Sequence, residues 1–335
     1  MGAGYAKVLA NSPVWDLVSV CDLNPERLQW AKTLKPDVIT TTDANKLLED
    51  TSLEVAGIFT LADIRPGLVR KGLAAGKHLM LEKPIASSIP EEKELLKAIN
   101  ASGRLVSVNL FNRNAWYHHE MQEFIRSGEI GKLVAIMISH QTPGMMPTEG
   151  HQPEGPPFHD CGMHYVDVAR WYAESEYDRW DAQGVRVWAW EDPWWVTVHG
   201  SFRNGTAFNI TQGFAYGQMA TEKTNRCGIE LIGTLGVIRM EHDFNEVKIE
   251  FHGTGRSEKK TGPYGGKKLD VMCEKFAASL DNGQNMGLPS AADSVIASEI
   301  SQKMLDFATQ HAAPVVGTPA EMQRILEFRK QKKGA

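Results

Sequence analysis

From residue 1 to about 115, short apolar runs alternate with stretches whose apolar residues recur at helical spacing, the pattern of a parallel sheet with crossover helices. Strands are expected at 15–21, 38–40, 55–60, 79–81 and 105–110, and helices at 5–10, 43–48, 66–75 and 88–100. A further helix opens at Asn24-Pro25, because an asparagine side chain caps a first turn and the fixed φ of proline suits the first helical position. Residues 116–127 read as a linking helix. Beyond it the texture changes to closely spaced strands at 134–140, 185–190, 195–203, 207–213, 227–233, 237–241 and 247–251, interrupted by a helix at 161–172 and followed by one at 291–311. The expected architecture is an α/β parallel-sheet domain over 1–115 and an α+β domain over 116–335. The second is built on a large, mostly antiparallel open sheet, and its C-terminal helix is a candidate to return to the first domain.

The length of 335 residues accords with two domains, each able to bury a core of its own. The formal charge of −5, with no long basic block, argues against a nucleic-acid partner. Cys21, Cys161, Cys227 and Cys273 lie far apart without metal-ligand spacing, as expected of reduced thiols in a cytoplasmic protein that holds no metal. No apolar run approaches the roughly 18 residues that would suggest a membrane span.

The sharpest chemical signal is Glu82-Lys83-Pro84, directly after the apolar run at 79–81. Proline cannot continue the ladder, so Lys83 is lifted off a strand's carboxyl end, where ligands bind in open α/β sheets. The plainer reading is a solvated lysine. Asp22 closes the strand before Asn24; an acid there can accept the adenine-ribose hydroxyls and repels a 2′-phosphate, which favours NAD over NADP, whereas the plainer reading is a turn aspartate. The glycine-rich phosphate loop should precede this strand, yet only its tail is found, at Gly2, Ala3 and Gly4. The first strand and first two glycines of a dinucleotide fingerprint are therefore expected upstream of Met1, or lost in a cofactor-free descendant.

These segments, together with those at 160–171 and 233–236, resemble the Gfo/Idh/MocA family of nicotinamide-dependent oxidoreductases over nearly the whole chain. The resemblance implies a Rossmann-type first domain, NAD as cofactor, and a sugar or cyclitol as substrate. It places Lys83 on the nicotinamide side of the site and a catalytic aspartate and histidine at Asp160 and His164. Spacing supports that pair independently, since residues four apart on a helix share a face. Glu82, Thr60, Leu61 and Asn109 fall at cofactor-lining positions, and His159 and Arg113 at substrate positions. Where relatives carry a Thr-Pro pair and then a histidine, this chain has Thr60-Leu61 and then Arg65, which alters the nicotinamide pocket. Where relatives carry a basic pair after the asparagine, it has Leu110-Phe111, with Arg113 further on. The stretch 151–159 replaces a glycine-rich approach and is expected to shape substrate choice.

On this reading His164 is the general base, because histidine titrates near neutral pH. Asp160 tunes it, and Lys83 stabilises the oxygen that becomes carbonyl-like. Trp188 and Trp190 alternate on a presumed strand, the mark of sheet core or a subunit interface, and the resemblance implies a homodimer or homotetramer formed through the second-domain sheet. Two rival functions remain open: redox-assisted glycoside cleavage that recycles NAD, and a cofactor-free sensor or scaffold.

Overall fold

A computed structural model of the chain describes residues 1–142, 156, 158–188, 192–213 and 225–333. The backbone groups into two units, Met1–Asn114 with Lys267–Ser298, and Ala115–Gly266 with Glu299–Ala335. Among the described residues no helix is long and apolar enough to cross a membrane.

The first unit carries α1 (Gly2–Ala10), β1 (Ser19–Cys21), α2 (Pro25–Leu34), β2 (Ile39–Thr41), α3 (Ala44–Leu48) and β3 (Val55–Ile58). It continues through α4 (Arg65–Ala74), β4 (His78–Leu81), α5 (Ile89–Ser102) and β5 (Val106–Val108). Its strands form two parallel sheets, β1-β2 and β3-β4-β5. As the sequence suggests, the Asn24 side chain caps α2 by accepting the Glu26 amide, with Pro25 in the first turn. The unbroken apolar run of β4 is explained by burial on both faces. Leu79 and Leu81 pack with Ile58, Val69, Leu95, Val108 and Val295, whereas Met80 points the other way into Tyr5, Met272, Phe276 and Leu288. Ile58, Leu81 and Val108 lie level in register, so the residues that follow them leave the sheet side by side. Sequence reasoning missed α8 (Leu269–Asn282), which supplies Met272 and Phe276 and lets α1 approach closely: a Cβ on Gly4 would sit 2.9 Å from Leu269 Cδ1.

The second unit contains α6 (Trp116–Arg126), β6 (Leu133–Gln141), a π-helical turn (Phe158–Gly162), α7 (Met163–Ala173), β7 (Tyr177–Val187), β8 (Trp195–Phe202) and β9 (Ala207–Gly213). Then follow β10 (Arg226–Gly233), β11 (Val237–His242), β12 (Glu246–His252) and β13 (Ser257–Pro263). With β14 (Ala313–Val316) they make a nine-stranded sheet in the order β13-β12-β11-β10-β6-β9-β8-β7-β14. The sheet is mixed rather than wholly antiparallel, for β6 pairs with β9, and β14 with β7, in parallel. Alternate residues such as Ile136, Ile138, Phe208, Ile210, Ile229 and Leu231 turn inward onto α6 and α7 in one core. α9 (Ala291–Gln310) and α10 (Pro319–Lys333) complete the chain.

Three expectations need correction. Trp188 lies just beyond β7, buried and with a φ of 59°, so it does not alternate along a strand with Trp190, which falls outside the described residues. β13 escaped notice because its sequence is polar; it is an edge strand, and its lysines serve Glu250 and Glu120 instead of a core. The helix expected from residue 161 begins as the wider π turn at Phe158.

Candidate active site

Within the first unit the strand ends converge. The Glu82 carboxylate accepts the Asn109 side-chain amide at 2.9 Å, and the Asn109 backbone amide bonds Leu81 O at 2.9 Å, locking the ends of β4 and β5 together. Glu82 is almost wholly buried, and that burial raises its pKa against the pull of Lys267 and the Asn109 hydrogen bond. Lys83 follows, only 5% exposed, with a cis peptide to Pro84. It is thus no solvated surface lysine.

Two groups the sequence reading undervalued clamp this segment. The guanidinium of Arg65, fully buried at the start of α4, donates to the carbonyls of Thr60 and Pro84 and so bridges the loops after β3 and β4. Glu92, also fully buried, accepts the Ile85 amide at 3.0 Å from the opposite side; burial raises its pKa to about 8 against bonds from Ser298, Ile85 and Ala86 and the charge of Arg65. A sequence signal for Glu92 existed, since it stands at an apolar-spaced position of α5 with Leu95 and Ile99. Arg65 gave none beyond its departure from the family pattern.

Asp22 Oδ1 accepts the Asn24 amide and Oδ2 pairs with Arg27 at 3.3 Å, so the carboxylate makes a turn and holds a cation. Leu61 is exposed, and Gly2 and Ala3 form the first turn of α1. Arg113 is bound to Asp293 at 3.2 Å, the same carboxylate that caps Ser290 at the start of α9. Thr60 Oγ1 and Asn109 Oδ1 are buried without hydrogen-bond partners among the described residues. Buried polar atoms seldom remain unpaired. Orphans at two of three adjacent strand ends, flanking Lys83, fit the amide and hydroxyl groups of a nicotinamide nucleoside.

In the second unit His159 and Asp160 lie on the π turn, and His164 lies in the first turn of α7. His159 and His164 are buried, while Asp160 is half-buried. Such wide turns recur at functional sites, because they re-aim side chains that a regular helix would hold elsewhere. Of the stretch at 151–159 expected to shape substrate choice, only 156, 158 and 159 are among the described residues. Behind the turn, Gln212 is buried at the end of β9 and pairs in register with His140 of β6. His140 packs on Tyr165, with ring centroids 4.5 Å apart. Gln212 was overlooked, although a glutamine following Phe208 and Ile210 on an inward period of two is itself a signal.

Comparison with known proteins bears on both units. Residues 1–110 match the family described as "Oxidoreductase family, NAD-binding Rossmann fold", and residues 118–239 the Gfo/Idh/MocA C-terminal domain. A scyllo-inositol 2-dehydrogenase (NAD(+)) of Bacillus subtilis is 24% identical over 209 residues, 60% of each chain. The chain spans 55% of the length of another curated relative, an uncharacterised oxidoreductase of the same organism. Among solved structures, myo-inositol 2-dehydrogenase from Lactobacillus plantarum aligns with a TM-score of 0.77 at 18% identity, covering 93% of this chain and 95% of that one. Levoglucosan dehydrogenase in complex with NADH and levoglucosan gives 0.74 at 19%, covering 92% and 95%. At such identities these two show the shared fold.

Proposed function

The chain belongs to the Gfo/Idh/MocA oxidoreductase family, and from that membership we propose that it is an NAD-dependent oxidoreductase acting on a secondary hydroxyl of a sugar, cyclitol or sugar derivative. The observation that carries the reading is the buried Lys83, in a segment clamped by Arg65 and Glu92 and flanked by Thr60 Oγ1 and Asn109 Oδ1, which have no hydrogen-bond partner among the described residues. Those orphans and Glu82 are the groups that would hold the nicotinamide end of NAD, and Asp22 the adenine ribose. When bound, NAD supplies the hydride acceptor. The chain's own residues do the rest. His164 takes the hydroxyl proton, Asp160 orients the hydroxyl and the imidazole, and the Lys83 ammonium hydrogen-bonds the oxygen as carbonyl character develops.

Inositol and levoglucosan dehydrogenases among the similar proteins support a neutral polyol as substrate. Self-association through the outer face of the nine-stranded sheet is part of the proposal. Over β6, β9 and β8 that face carries uncharged residues such as Ala135, Met137, Asn209 and Thr197, whereas over β10 to β12 it carries ion pairs such as Arg239–Glu230.

The test is a fluorescence titration with NADH, followed by a screen of inositols and anhydrosugars for NAD reduction. Saturable binding and turnover are expected. Lys83→Ala and His164→Ala should each lose at least about a hundredfold in rate with unchanged circular dichroism, the low end for a positioned acid or base. Wild-type rates in both variants would remove the site assignment. Product release without NADH accumulation would point instead to redox-assisted cleavage.

A further inference from the structure

We propose that the Gln212 side-chain amide is a ligand for substrate hydroxyls, one that sets the preference for a neutral polyol over an anionic substrate. The proposal rests on the functional reading above and deepens it.

Residues 208, 210 and 212 of β9 share the inward face, since side chains alternate along a strand. Phe208 and Ile210 enter the apolar core, but at the strand's end the same face presents a carboxamide. Gln212 is 2% exposed, and neither its Nε2 nor its Oε1 has a hydrogen-bond partner among the described residues. Leaving such a group unpaired forfeits the hydrogen bonds it makes to water in the unfolded chain. An apolar side chain of similar size would avoid that cost, so a glutamine here calls for a partner that arrives from outside. Its direction is also defined. A Cβ built on Gly162 would lie 2.7 Å from Gln212 Oε1, so the absence of a side chain at 162 makes room for the carboxamide. Gly162 ends the π turn that carries Asp160 and stands two residues before His164, in the first turn of α7.

The chemistry matches a hydroxyl. A carboxamide offers one accepting and one donating edge, and a polyol hydroxyl both donates and accepts. Binding a carboxylate or phosphate would favour an arginine or lysine at this place. The neighbour in register, His140, is held neutral by burial, and its Nδ1 is likewise unpartnered among the described residues. Gln141, also buried and without a side-chain partner among the described residues, lies over Gly213 on the opposite face and does not contribute.

The experiment measures polyol binding rather than turnover. Thermal unfolding of the full chain is followed with saturating NADH and increasing myo-inositol, scyllo-inositol or levoglucosan, for wild type and Gln212→Met. The wild type should gain stability with at least one polyol. The variant should fold, bind NADH with unchanged affinity, and require at least tenfold more of that polyol for the same gain. Gln212→Leu serves if the methionine variant does not fold. Equal polyol affinity in wild type and variant would overturn the proposal, for it would mean that the amide is satisfied by a buried water. No polyol effect on a wild type that still binds NADH would overturn it too, while leaving the dinucleotide reading intact. Should NADH itself not bind, the functional reading fails, and the same titration without NADH still decides the role of Gln212.

Discussion

Acid should weaken the second unit through three histidines that the fold keeps neutral. His118, His140 and His242 are buried among Tyr117, Tyr165, Tyr172 and Tyr264. Burial lowers all three pKa values, to about 3 for His140 and about 4 for His242, with His242 adding repulsion on the other two. In the unfolded chain each titrates near 6.5. The stability held in the neutral folded state is therefore complete above about pH 6.5 and is lost as pH falls toward the folded values. Between pH 7.5 and 5.0 the unfolded state gains nearly one proton per histidine, which costs about 2 kcal/mol each, or about 4 kcal/mol for His140 and His242 together. His118 adds to the loss. Glu92 in the first unit works in the other direction: its folded pKa of about 8 exceeds the unfolded value, so acid stabilises it and masks part of the effect. The decisive quantity is thus a difference between proteins. Urea unfolding of wild type and His140→Gln at both pH values should show the variant losing about 2 kcal/mol less on acidification. Equal losses would refute the reasoning, because a histidine that contributes no differential proton uptake is not held neutral by the fold.

Arg65→Met removes two charge-assisted bonds, to Thr60 O and Pro84 O, and should lower unfolding free energy by about 3–6 kcal/mol at roughly 1.5–3 kcal/mol per bond. A loss below about 1 kcal/mol in urea titration would show that the clamp is dispensable. Asp22→Gly frees Arg27 from its ion pair and removes the acid that opposes a 2′-phosphate, so the ratio of NADPH to NADH dissociation constants should move toward or below unity. An unchanged ratio would leave Asp22 as a turn residue only.

Much of this molecule is legible in one dimension because period and punctuation are local properties. The alternation of apolar runs with capped helices was enough to place β1 to β5, and the Asn24-Pro25 start of α2 holds as read. Period-two burial likewise marked β8 to β12 within a residue or two. Polar edges gave no such signal, which is why β13 was missed, and α8 went unread although its apolar face fills the core beneath Met80.

For the site, the residue types at Lys83, Asp160 and His164 came from motif and resemblance, but their surroundings did not. The burial of Lys83, the bridge from Arg65, the rise in the pKa of Glu92 and the atoms of Thr60, Asn109 and Gln212 left without partners among the described residues exist only where distant segments meet. A sequence specifies which groups are present and which face of an element they occupy. Whether such a group is solvated, paired or left waiting for a ligand depends on desolvation and on partners many residues away, and those are decided when the chain packs.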